Sequence, residues 1–302
     1  MGILNQLLSL QKFISMYKSK ISGLITPILT PFSSDGRIAE NFVSPFVQFL
    51  TLYTAGFFIC GSFGSGVMME IPEHQRMLEL VVAANTGIQK QVITHIGTTS
   101  THSTIELPYY YPHSDAAILT HFKAFLESTN LPVYLYDYPA YTNRKVDLDL
   151  FEKLIALAVC GVKDTSGSLD VLKKRIAHIP FSQCDYLIGT EALLVPAYKM
   201  GIRGCISGLS NAFPEIVAAF LQILNENALD EISHWQTVIN AVRQFIKQYS
   251  KMEAIYAILA MRGVSCGNAG APFGTLDRKS QGTLQEKLIK MNLLERNKEK
   301  WM

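Results

Sequence analysis

The feature that most constrains the fold of this chain is a series of seven short β-rich strings, most of them followed by a helical pattern. Strands that alternate with helices along a chain predict a parallel sheet covered by helices, so we expect an α/β protein. The strings that we interpret as strands are Leu24–Leu29, Phe57–Cys60, Gln91–Ile96, Val133–Asp137, Val159–Lys163, Tyr186–Ile188 and Gly204–Ser207.

Several of these strings end in small or polar residues that could face one shared opening. These ends are Gly61-Ser62, Gly97-Thr98, Asp164-Thr165, Gly189-Thr190 and Ser207-Gly208. In a TIM barrel, the active site lies at the carboxyl ends of the strands. An open, doubly wound sheet is the alternative, but no GxGxxG or P-loop string supports a nucleotide-binding version of it. The pattern therefore favours a TIM (β/α)8-type barrel.

The chain is predicted to have three parts, an N-terminal extension (1–20), the barrel (21–224) and a C-terminal helical region (225–302). In the extension, the spacing of leucine and isoleucine favours a helix over a transit peptide or a myristoylation signal. In the C-terminal region, apolar residues at helical spacing predict two amphipathic helices. One contains Ile232, Trp235, Val238, Ile239, Val242 and Ile246, and the last contains Leu284, Leu288 and Leu293.

An eight-stranded barrel needs one strand more than the sequence shows, and the shortfall lies between Ile96 and Val133. This interval must contain a helix, a fourth strand and another helix, and Asp115–Ser128 accounts for one helix. The remaining 97–111 can hold a helix or a strand with its loops, but hardly both, since a parallel crossover takes about a dozen residues. We therefore predict a barrel abbreviated around its third helix and fourth strand, unless the sequence lacks a segment here.

The composition argues against several classes of partner. The net charge of +2, from 27 basic and 25 acidic residues, gives no reason to expect a nucleic acid or an anionic membrane. No uninterrupted apolar run reaches the ~20 residues of a membrane-spanning helix. The five cysteines form no CxxC pair, which predicts reduced thiols and a cytoplasmic protein. The seven histidines have no metal-binding spacing, so no metal site is expected.

Lys163 lies near the end of an apolar string that is predicted to be an interior strand. An ammonium group there is poorly solvated, so burial should lower its pKa and free the amine as a nucleophile. Lysines that form Schiff bases with carbonyl substrates are activated in this way. The alternative is a lysine just past the strand end whose side chain extends to water, because most lysines are exposed.

Upstream of this lysine, one string contains three tyrosines at alternate positions. The alternation places Tyr134, Tyr136 and Tyr138 on one face of a strand. A phenol that faces a barrel interior can pass protons between a substrate and water, as Schiff-base chemistry requires. A tyrosine-rich strand that only packs under helices is the alternative.

Five motifs occur in the order found in the dihydrodipicolinate synthase/N-acetylneuraminate lyase superfamily, which the chain resembles over about residues 21–275. The motifs are Thr26-Pro27-Ile28-Leu29-Thr30-Pro31-Phe32, Gly61-Ser62-Phe63-Gly64, Pro108-Tyr109-Tyr110-Tyr111-Pro112, Tyr136-Asp137-Tyr138-Pro139 and Gly161-Val162-Lys163-Asp164-Thr165. The resemblance implies a pyruvate-dependent class I aldolase with no metal or organic cofactor. The motifs look most like those of 2-keto-3-deoxygluconate aldolases.

The resemblance also implies a role for each matching residue. Lys163 matches the lysine that forms the Schiff base with a 2-keto acid, and Tyr136 matches the tyrosine that moves the proton at the reacting bond. Ser62, where the family usually has threonine, could relay a proton between Tyr136 and Tyr110, which in the family reaches into a neighbouring subunit's site. Thr165 matches the hydroxyl that positions the C4 oxygen. The substrate-binding positions are Phe63, Thr165, Gly189, Glu191, Ile206, Ser207 and Gly208.

Four departures from the family pattern bear on the substrate. Phe63 replaces the second threonine of the usual GTTG loop, although the backbone N–H groups of Ser62 and Phe63 could still hold the pyruvate carboxylate. Tyr141 stands where dihydrodipicolinate synthases use arginine, and Ala192 stands where sialic acid lyases place a glutamate. His113 stands where some 2-keto-3-deoxygluconate aldolases carry an arginine suited to a phosphorylated substrate.

We therefore expect reversible cleavage of a non-phosphorylated 2-keto-3-deoxy sugar acid to pyruvate and an aldehyde. Dihydrodipicolinate synthesis, hydration or sialic acid cleavage on the same imine is one alternative. A barrel that has lost catalysis and serves as a binding or structural protein is another. The resemblance also implies a homotetramer built of two dimers, with Tyr110 crossing the tight interface.

Overall fold

Seven parallel strands alternate with helices in the computed structural model of the chain, which describes residues 21–96, 112–226 and 228–295. Each of the seven predicted strings overlaps one of these strands, so the prediction of a parallel α/β architecture is confirmed. The strands are β1 (Gly23–Thr26), β2 (Gly56–Ile59), β3 (Gln91–Thr94), β4 (Tyr134–Asp137), β5 (Gly161–Asp164), β6 (Asp185–Ile188) and β7 (Gly204–Ile206).

The α-helices of the described residues lie between and after these strands. They are α1 (Val43–Thr51), α2 (Ile71–Ala84), α3 (Asp115–Ser128), α4 (Pro139–Thr142), α5 (Leu148–Ala156), α6 (Leu169–His178), α7 (Leu194–Lys199), α8 (Pro214–Glu226), α9 (Leu229–Ile246), α10 (Lys251–Met261) and α11 (Arg278–Lys290). The helix predicted over 115–128 is α3. Among the helices described here, none has both the length and the apolar character needed to cross a membrane.

Polar side chains fix where several of these helices begin. Ser114, Asp147 and Ser168 each accept a hydrogen bond from the backbone N–H three residues ahead, at the starts of α3, α5 and α6. Such caps satisfy N–H groups that have no partner inside the helix. The cap on α6 sets the helical register of the residues that follow β5.

The chain divides into two compact units. The first unit consists of the described residues of 24–94 and 207–295. In it, β1 pairs with β2 and β2 pairs with β3, all in parallel. β2 is buried along its whole length, and α1 contributes Phe46 and Leu50 to the core. A strand buried on both faces is typical of a parallel sheet covered by helices.

The second unit consists of the described residues of 21–23 and 95–206. In it, β4, β5, β6 and β7 are neighbours in that order, all in parallel. All four residues of β5 are buried. The register places Tyr136 of β4 directly opposite Lys163 of β5, so the strand pairing itself brings these two residues together.

These elements agree with a TIM-like barrel followed by C-terminal helices. The predicted abbreviation of the barrel concerns 97–111, which lie outside the described residues. The division into 1–20, 21–224 and 225–302 stays a prediction, and its first segment also lies outside the described residues.

Both C-terminal helices predicted from apolar spacing are present, as α9 and α11. Leu284 and Leu288 of α11 are fully buried. The prediction that Leu293 belongs to this helix is wrong, because α11 ends at Lys290. Asn292 has a left-handed backbone (φ 57°), and the N–H of Leu293 donates to the carbonyl of Leu288 (2.8 Å). This bond and the left-handed residue form a Schellman termination, which ends the helix before Leu293.

Candidate active site

Lys163 is the third residue of β5 and is only 7% exposed. The interpretation of this lysine as part of an interior strand is confirmed, and its side chain does not extend to water. The burial of Lys163 is shared by the whole strand, because all four residues of β5 are buried. A buried amine is poorly hydrated and is suited to chemistry that needs it neutral.

The Nζ atom of Lys163 lies 3.8 Å from the centre of the Tyr136 ring. Tyr136 is 5% exposed, so both partners are shielded from solvent. This contact packs the end of the lysine side chain against the ring and holds it in one place. The structure therefore brings together the two residues that the sequence singles out as amine and phenol.

Further aromatic side chains surround Tyr136. The His95 ring meets the Tyr136 ring edge-on at 5.6 Å between centroids, and Tyr138 lies 5.8 Å from it. Tyr138 in turn packs against Tyr141 at 4.2 Å. Burial raises the pKa of Tyr138 to about 12, and the neighbouring Tyr141 adds to this rise. Since Tyr141 is 54% exposed, this row of rings runs from the buried lysine to the surface of the unit.

Tyr134, which alternation places on the same face, has a different role. Its hydroxyl donates to Asp185 Oδ2 (2.7 Å), and its ring packs on Gly161 at the first position of β5. This contact lies at the amino ends of the strands, whereas Tyr136 lies toward the carboxyl ends. Tyr134 therefore ties β4 to β6 at the amino ends of the strands.

Thr165 follows β5 and is fixed by two features. Its N–H donates to the carbonyl of Asp137 (2.9 Å), and its side chain packs on Gly189, where an added Cβ would lie 2.1 Å from Thr165 Oγ1. Only glycine at 189 leaves this hydroxyl in place. Thr165 Oγ1 is buried and has no hydrogen-bond partner among the described residues, so it can bind a substrate oxygen.

Glu191 and Ile206 belong to the same unit as Lys163. Glu191 begins a short 3-10 helix, Glu191–Leu193, just after β6 and is 8% exposed. Ile206 is the last residue of β7 and is also buried. Both predicted pocket positions therefore lie at carboxyl ends of strands, as a barrel active site requires.

The remaining predicted site residues that the structure describes lie in the first unit. The Phe63 ring rests against Gly208, where an added Cβ would be 2.0 Å from the ring. The ammonium of Lys251 lies 4.7 Å from the centre of the same ring. Ser207, which precedes Gly208, is fully buried, and Ser62 is partly buried next to Phe63. Phe63 and Gly208 are thus in contact. Tyr110 lies outside the described residues.

A tight backbone holds the loop that contains Ser62 and Phe63. Cys60 and Ser65, which flank them, both have left-handed backbones (φ 56°). Thr30 Oγ1 donates to the carbonyl of Gly64 (2.6 Å). Non-glycine residues rarely adopt this conformation, and they tend to do so where a loop must present groups in a fixed geometry.

Sequence analysis missed a buried ionic network behind the lysine and the tyrosine. Arg175 of α6 donates from Nη1 to Asp164 Oδ2 (2.7 Å) and from Nη2 to Asp137 Oδ2 (2.6 Å). All three side chains are at most 1% exposed. Burial raises the pKa of Asp137 to about 6; the Arg175 charge opposes this shift and the Asp164 charge adds to it.

A signal for this network exists in the sequence. Arg175 stands three residues after Leu172 and four before Ile179, both buried, so it falls on the apolar face of α6. A cation on such a face needs a buried anion. Asp137 and Asp164, which immediately follow the predicted tyrosine and lysine, are acidic residues at the ends of β4 and β5.

The profile of the dihydrodipicolinate synthetase family matches residues 20–291. The chain belongs to the dihydrodipicolinate synthetase family. Members of this superfamily are carbon–carbon lyases, and the resemblance drawn from the five motifs is confirmed. Among the described residues, no group of three histidine, cysteine or acidic side chains could hold a metal ion.

A curated relative and two solved structures are similar to most of this chain. An N-acetylneuraminate lyase of Rhizobium meliloti is 25% identical over 284 residues, covering 88% of this chain and 94% of that protein. The Clostridium difficile protein CdNal in complex with mannosamine has a TM-score of 0.85 at 18% identity, covering 90% of this chain and 100% of that one. A Sulfolobus solfataricus 2-keto-3-deoxygluconate aldolase variant has a TM-score of 0.81 at 22% identity, with 91% and 100% covered. These likenesses show a shared fold.

Proposed function

We propose that this chain is a class I aldolase that reversibly cleaves a 2-keto-3-deoxy sugar acid to pyruvate and an aldehyde, with Lys163 forming the Schiff base. The observation that carries the proposal is the buried Lys163 amine, whose Nζ lies 3.8 Å from the centre of the buried Tyr136 ring. A dry site favours the neutral amine that must attack a ketone. The family and its named members support a lyase reaction.

In the proposed reaction, the Lys163 amine attacks the C2 carbonyl of the substrate, and loss of water gives a protonated imine. The imine accepts the electron pair of the C3–C4 bond as that bond breaks. Tyr136 takes the proton of the C4 hydroxyl, so C4 leaves as an aldehyde. The resulting enamine is protonated at C3 to the imine of pyruvate, and water hydrolyses it to free pyruvate and Lys163. These reaction steps require no metal or organic cofactor.

The other site residues would bind and orient the substrate. We propose that Ser62 and Tyr110 relay the proton that Tyr136 carries, and that the N–H groups of Ser62 and Phe63 hold the pyruvate carboxylate. The Thr165 hydroxyl, buried without a hydrogen-bond partner among the described residues, would bind the C4 oxygen. The pocket would be lined by Gly189, Glu191, Ile206, Ser207 and Gly208.

The sugar-acid substrate is favoured over the dihydrodipicolinate aldehyde by the side chain at position 141. Tyr141 packs on Tyr138 at 4.2 Å, and a phenol there cannot pair with a second carboxylate as an arginine would. Ala192 gives no carboxylate for the glycerol tail of a sialic acid. His113, whose carbonyl accepts from Arg144 (2.8 Å), favours a substrate without phosphate.

We also propose a cytoplasmic homotetramer built of two dimers.

Borohydride trapping tests the proposal. Incubating the protein with pyruvate and borohydride should raise its intact mass by one reduced adduct, and peptide mapping should place the adduct on Lys163. Lys163→Ala should show no adduct, while Lys153→Ala, which removes an exposed lysine paired with Asp149, should be trapped like the wild type. An unshifted wild type, or an adduct mapped to another lysine, would contradict the assignment. The mapping holds even if Lys163→Ala fails to fold.

Sialic acid cleavage is the second candidate, because the Rhizobium meliloti relative is an N-acetylneuraminate lyase and the Clostridium difficile structure contains mannosamine. Both reactions pass through the same pyruvate imine, so trapping does not separate them. A screen of aldehydes with pyruvate as the donor separates the two reactions. Glyceraldehyde should be the better acceptor if the substrate is a 2-keto-3-deoxy sugar acid. A preference for N-acetylmannosamine would favour the second candidate. An imine that is trapped but reacts with no aldehyde would indicate a barrel without catalysis.

A further inference from the structure

The two proposed catalytic residues are each followed directly by an acidic residue, and one guanidinium joins the two acids. Tyr136 precedes Asp137 in β4, and Lys163 precedes Asp164 in β5. Successive residues of a strand point to opposite faces, so the acids lie on the face away from the tyrosine and the lysine. The register pairs Asp137 with Asp164, as it pairs Tyr136 with Lys163.

Arg175 reaches this face from α6 and binds both strands at once. Its two terminal nitrogens donate to Asp164 (2.7 Å) and Asp137 (2.6 Å), and Nη2 also donates to the carbonyl of Val146 (2.8 Å). Its guanidinium carbon lies 4.6 Å from the centre of the Phe151 ring of α5. A planar fork held by four partners has little freedom to rotate. Arg175 therefore fixes the relative positions of β4 and β5 where they end.

The opposite oxygen of Asp164 extends the network into the loop after β5. Asp164 Oδ1 accepts from the N–H (3.0 Å) and the hydroxyl (2.7 Å) of Ser166. The carbonyls of Asp137 and Asp164 accept from the N–H groups of Thr165 (2.9 Å) and Gly189 (2.8 Å). The same two acids thus hold the strand ends and the loop that presents the Thr165 hydroxyl.

Stability alone is a poor explanation for this arrangement. Two carboxylates against one guanidinium leave an excess negative charge in a place that is at most 1% exposed. Desolvation of buried ions often offsets their attraction, so apolar side chains would serve stability as well or better. Asp137 Oδ1 and Arg175 Nε also have no hydrogen-bond partner among the described residues, which adds to the cost.

We propose that Arg175, bridging Asp137 and Asp164, is a positioning residue that holds Lys163 and Tyr136 in their reactive alignment from the opposite face of the sheet. The inference rests on the proposed aldolase function, since its effect is on that reaction. The network touches neither reacting group and acts through the backbone of β4 and β5.

The test compares Arg175→Lys, Asp137→Asn and the double variant with the wild type. Arg175→Lys keeps the charge but cannot bridge two carboxylates, so kcat for aldol cleavage should fall about 10- to 100-fold, because misplacement by about 1 Å has this effect. KM should stay within about twofold. Asp137→Asn should lower kcat less, and the double variant should be no worse than Arg175→Lys, since both changes act on one network. Arg175→Met should be the most impaired if it folds.

Tyr134→Phe is the matched control. It removes the hydrogen bond to Asp185 (2.7 Å), which also joins β4 to a neighbouring part of the sheet but at the amino ends of the strands. This variant should lower the melting temperature about as much as Arg175→Lys while kcat stays at the wild-type value. A purely structural role for Arg175 predicts the same pattern for both variants.

The outcomes separate this inference from the proposed function. If the wild type is not trapped by pyruvate and borohydride, the proposed function fails. If the wild type is trapped and Arg175→Lys, once shown to be folded by circular dichroism, has wild-type kcat, then only the positioning role fails. A kcat loss equal to that of Tyr134→Phe would also overturn it.

Discussion

At the scale of single residues, the proposed chemistry depends on what burial does to neighbouring polar groups. The Lys163 amine and the Tyr136 ring are within cation–π distance, and neither is exposed to bulk water. One residue further along each strand, Asp137 and Asp164 share the Arg175 guanidinium. The proposed reactive groups thus occupy one face of the two strands, and the ionic network occupies the other.

Tyr136→Phe separates the packing of this tyrosine on Lys163 from its proposed role as proton carrier. The variant keeps the ring that contacts Lys163 Nζ but removes the phenolic oxygen. The pyruvate imine should therefore still be trapped by borohydride, while kcat for aldol cleavage should fall about 10²- to 10⁴-fold, the contribution of a general acid–base group. Steady-state kinetics beside the trapping assay checks this. Wild-type turnover by a folded Tyr136→Phe would exclude Tyr136 as the proton carrier.

At the scale of elements, the site depends on turns and short helices that follow the strands. β5 presents Lys163 and then leads into Thr165, which Gly189 accommodates after β6. In the first unit, the loop after β2 presents Phe63 to Gly208, which begins the 3-10 helix Gly208–Asn211. In both of these contacts, the side chain fits against its neighbour only because that neighbour is glycine.

Gly208→Ala tests this fit. The new Cβ would lie 2.0 Å from the Phe63 ring, so the ring must move from its place beside Lys251. We expect the free energy of unfolding to fall by about 1–3 kcal/mol, as for overpacking in a close-packed interior. Urea denaturation measures it. In a Phe63→Ala background, the same substitution should cost much less, because the ring is gone. Equal costs in both backgrounds would contradict the contact.

At the scale of the whole molecule, the buried ionic network makes stability depend on pH. Burial raises the pKa of Asp137 to about 6, against an ordinary value of 3.8. Between these values, the folded chain holds a proton that the unfolded chain has released. Stability from this group is therefore greatest at low pH, falls as pH rises through this window, and stays reduced above pH 6.

Asp137→Asn should remove this dependence because asparagine does not titrate. Relative to the wild type, the variant should gain about 2 kcal/mol of unfolding free energy between about pH 4 and pH 7, from roughly 1.4 kcal/mol per pKa unit. Urea denaturation of both proteins at the two pH values measures the difference. A pH-independent difference would show that Asp137 has no raised pKa. A variant that is more stable but slower would agree with the positioning role of the network.

The sequence by itself determined the elements and the two central residues. Alternation of short apolar strings with helical patterns is a local property of the chain, so all seven strands and α3 could be predicted from it. Lys163 and Tyr136 carried their own signals, a cation in an apolar string and a phenol at an alternate position. Leu293 was misplaced because a helix end depends on backbone hydrogen bonds that apolar spacing does not show.

Only the tertiary structure decided which residues meet across elements. The register that places Tyr136 opposite Lys163, the ring of Phe63 on Gly208, and Arg175 between two acids all join positions far apart in the sequence. Such contacts depend on strand register and on the direction in which each helix returns, and a residue's own neighbours in the sequence specify neither. The buried charge of Arg175 is the clearest case, because both the folded geometry and electrostatic attraction determine which residues pair with it.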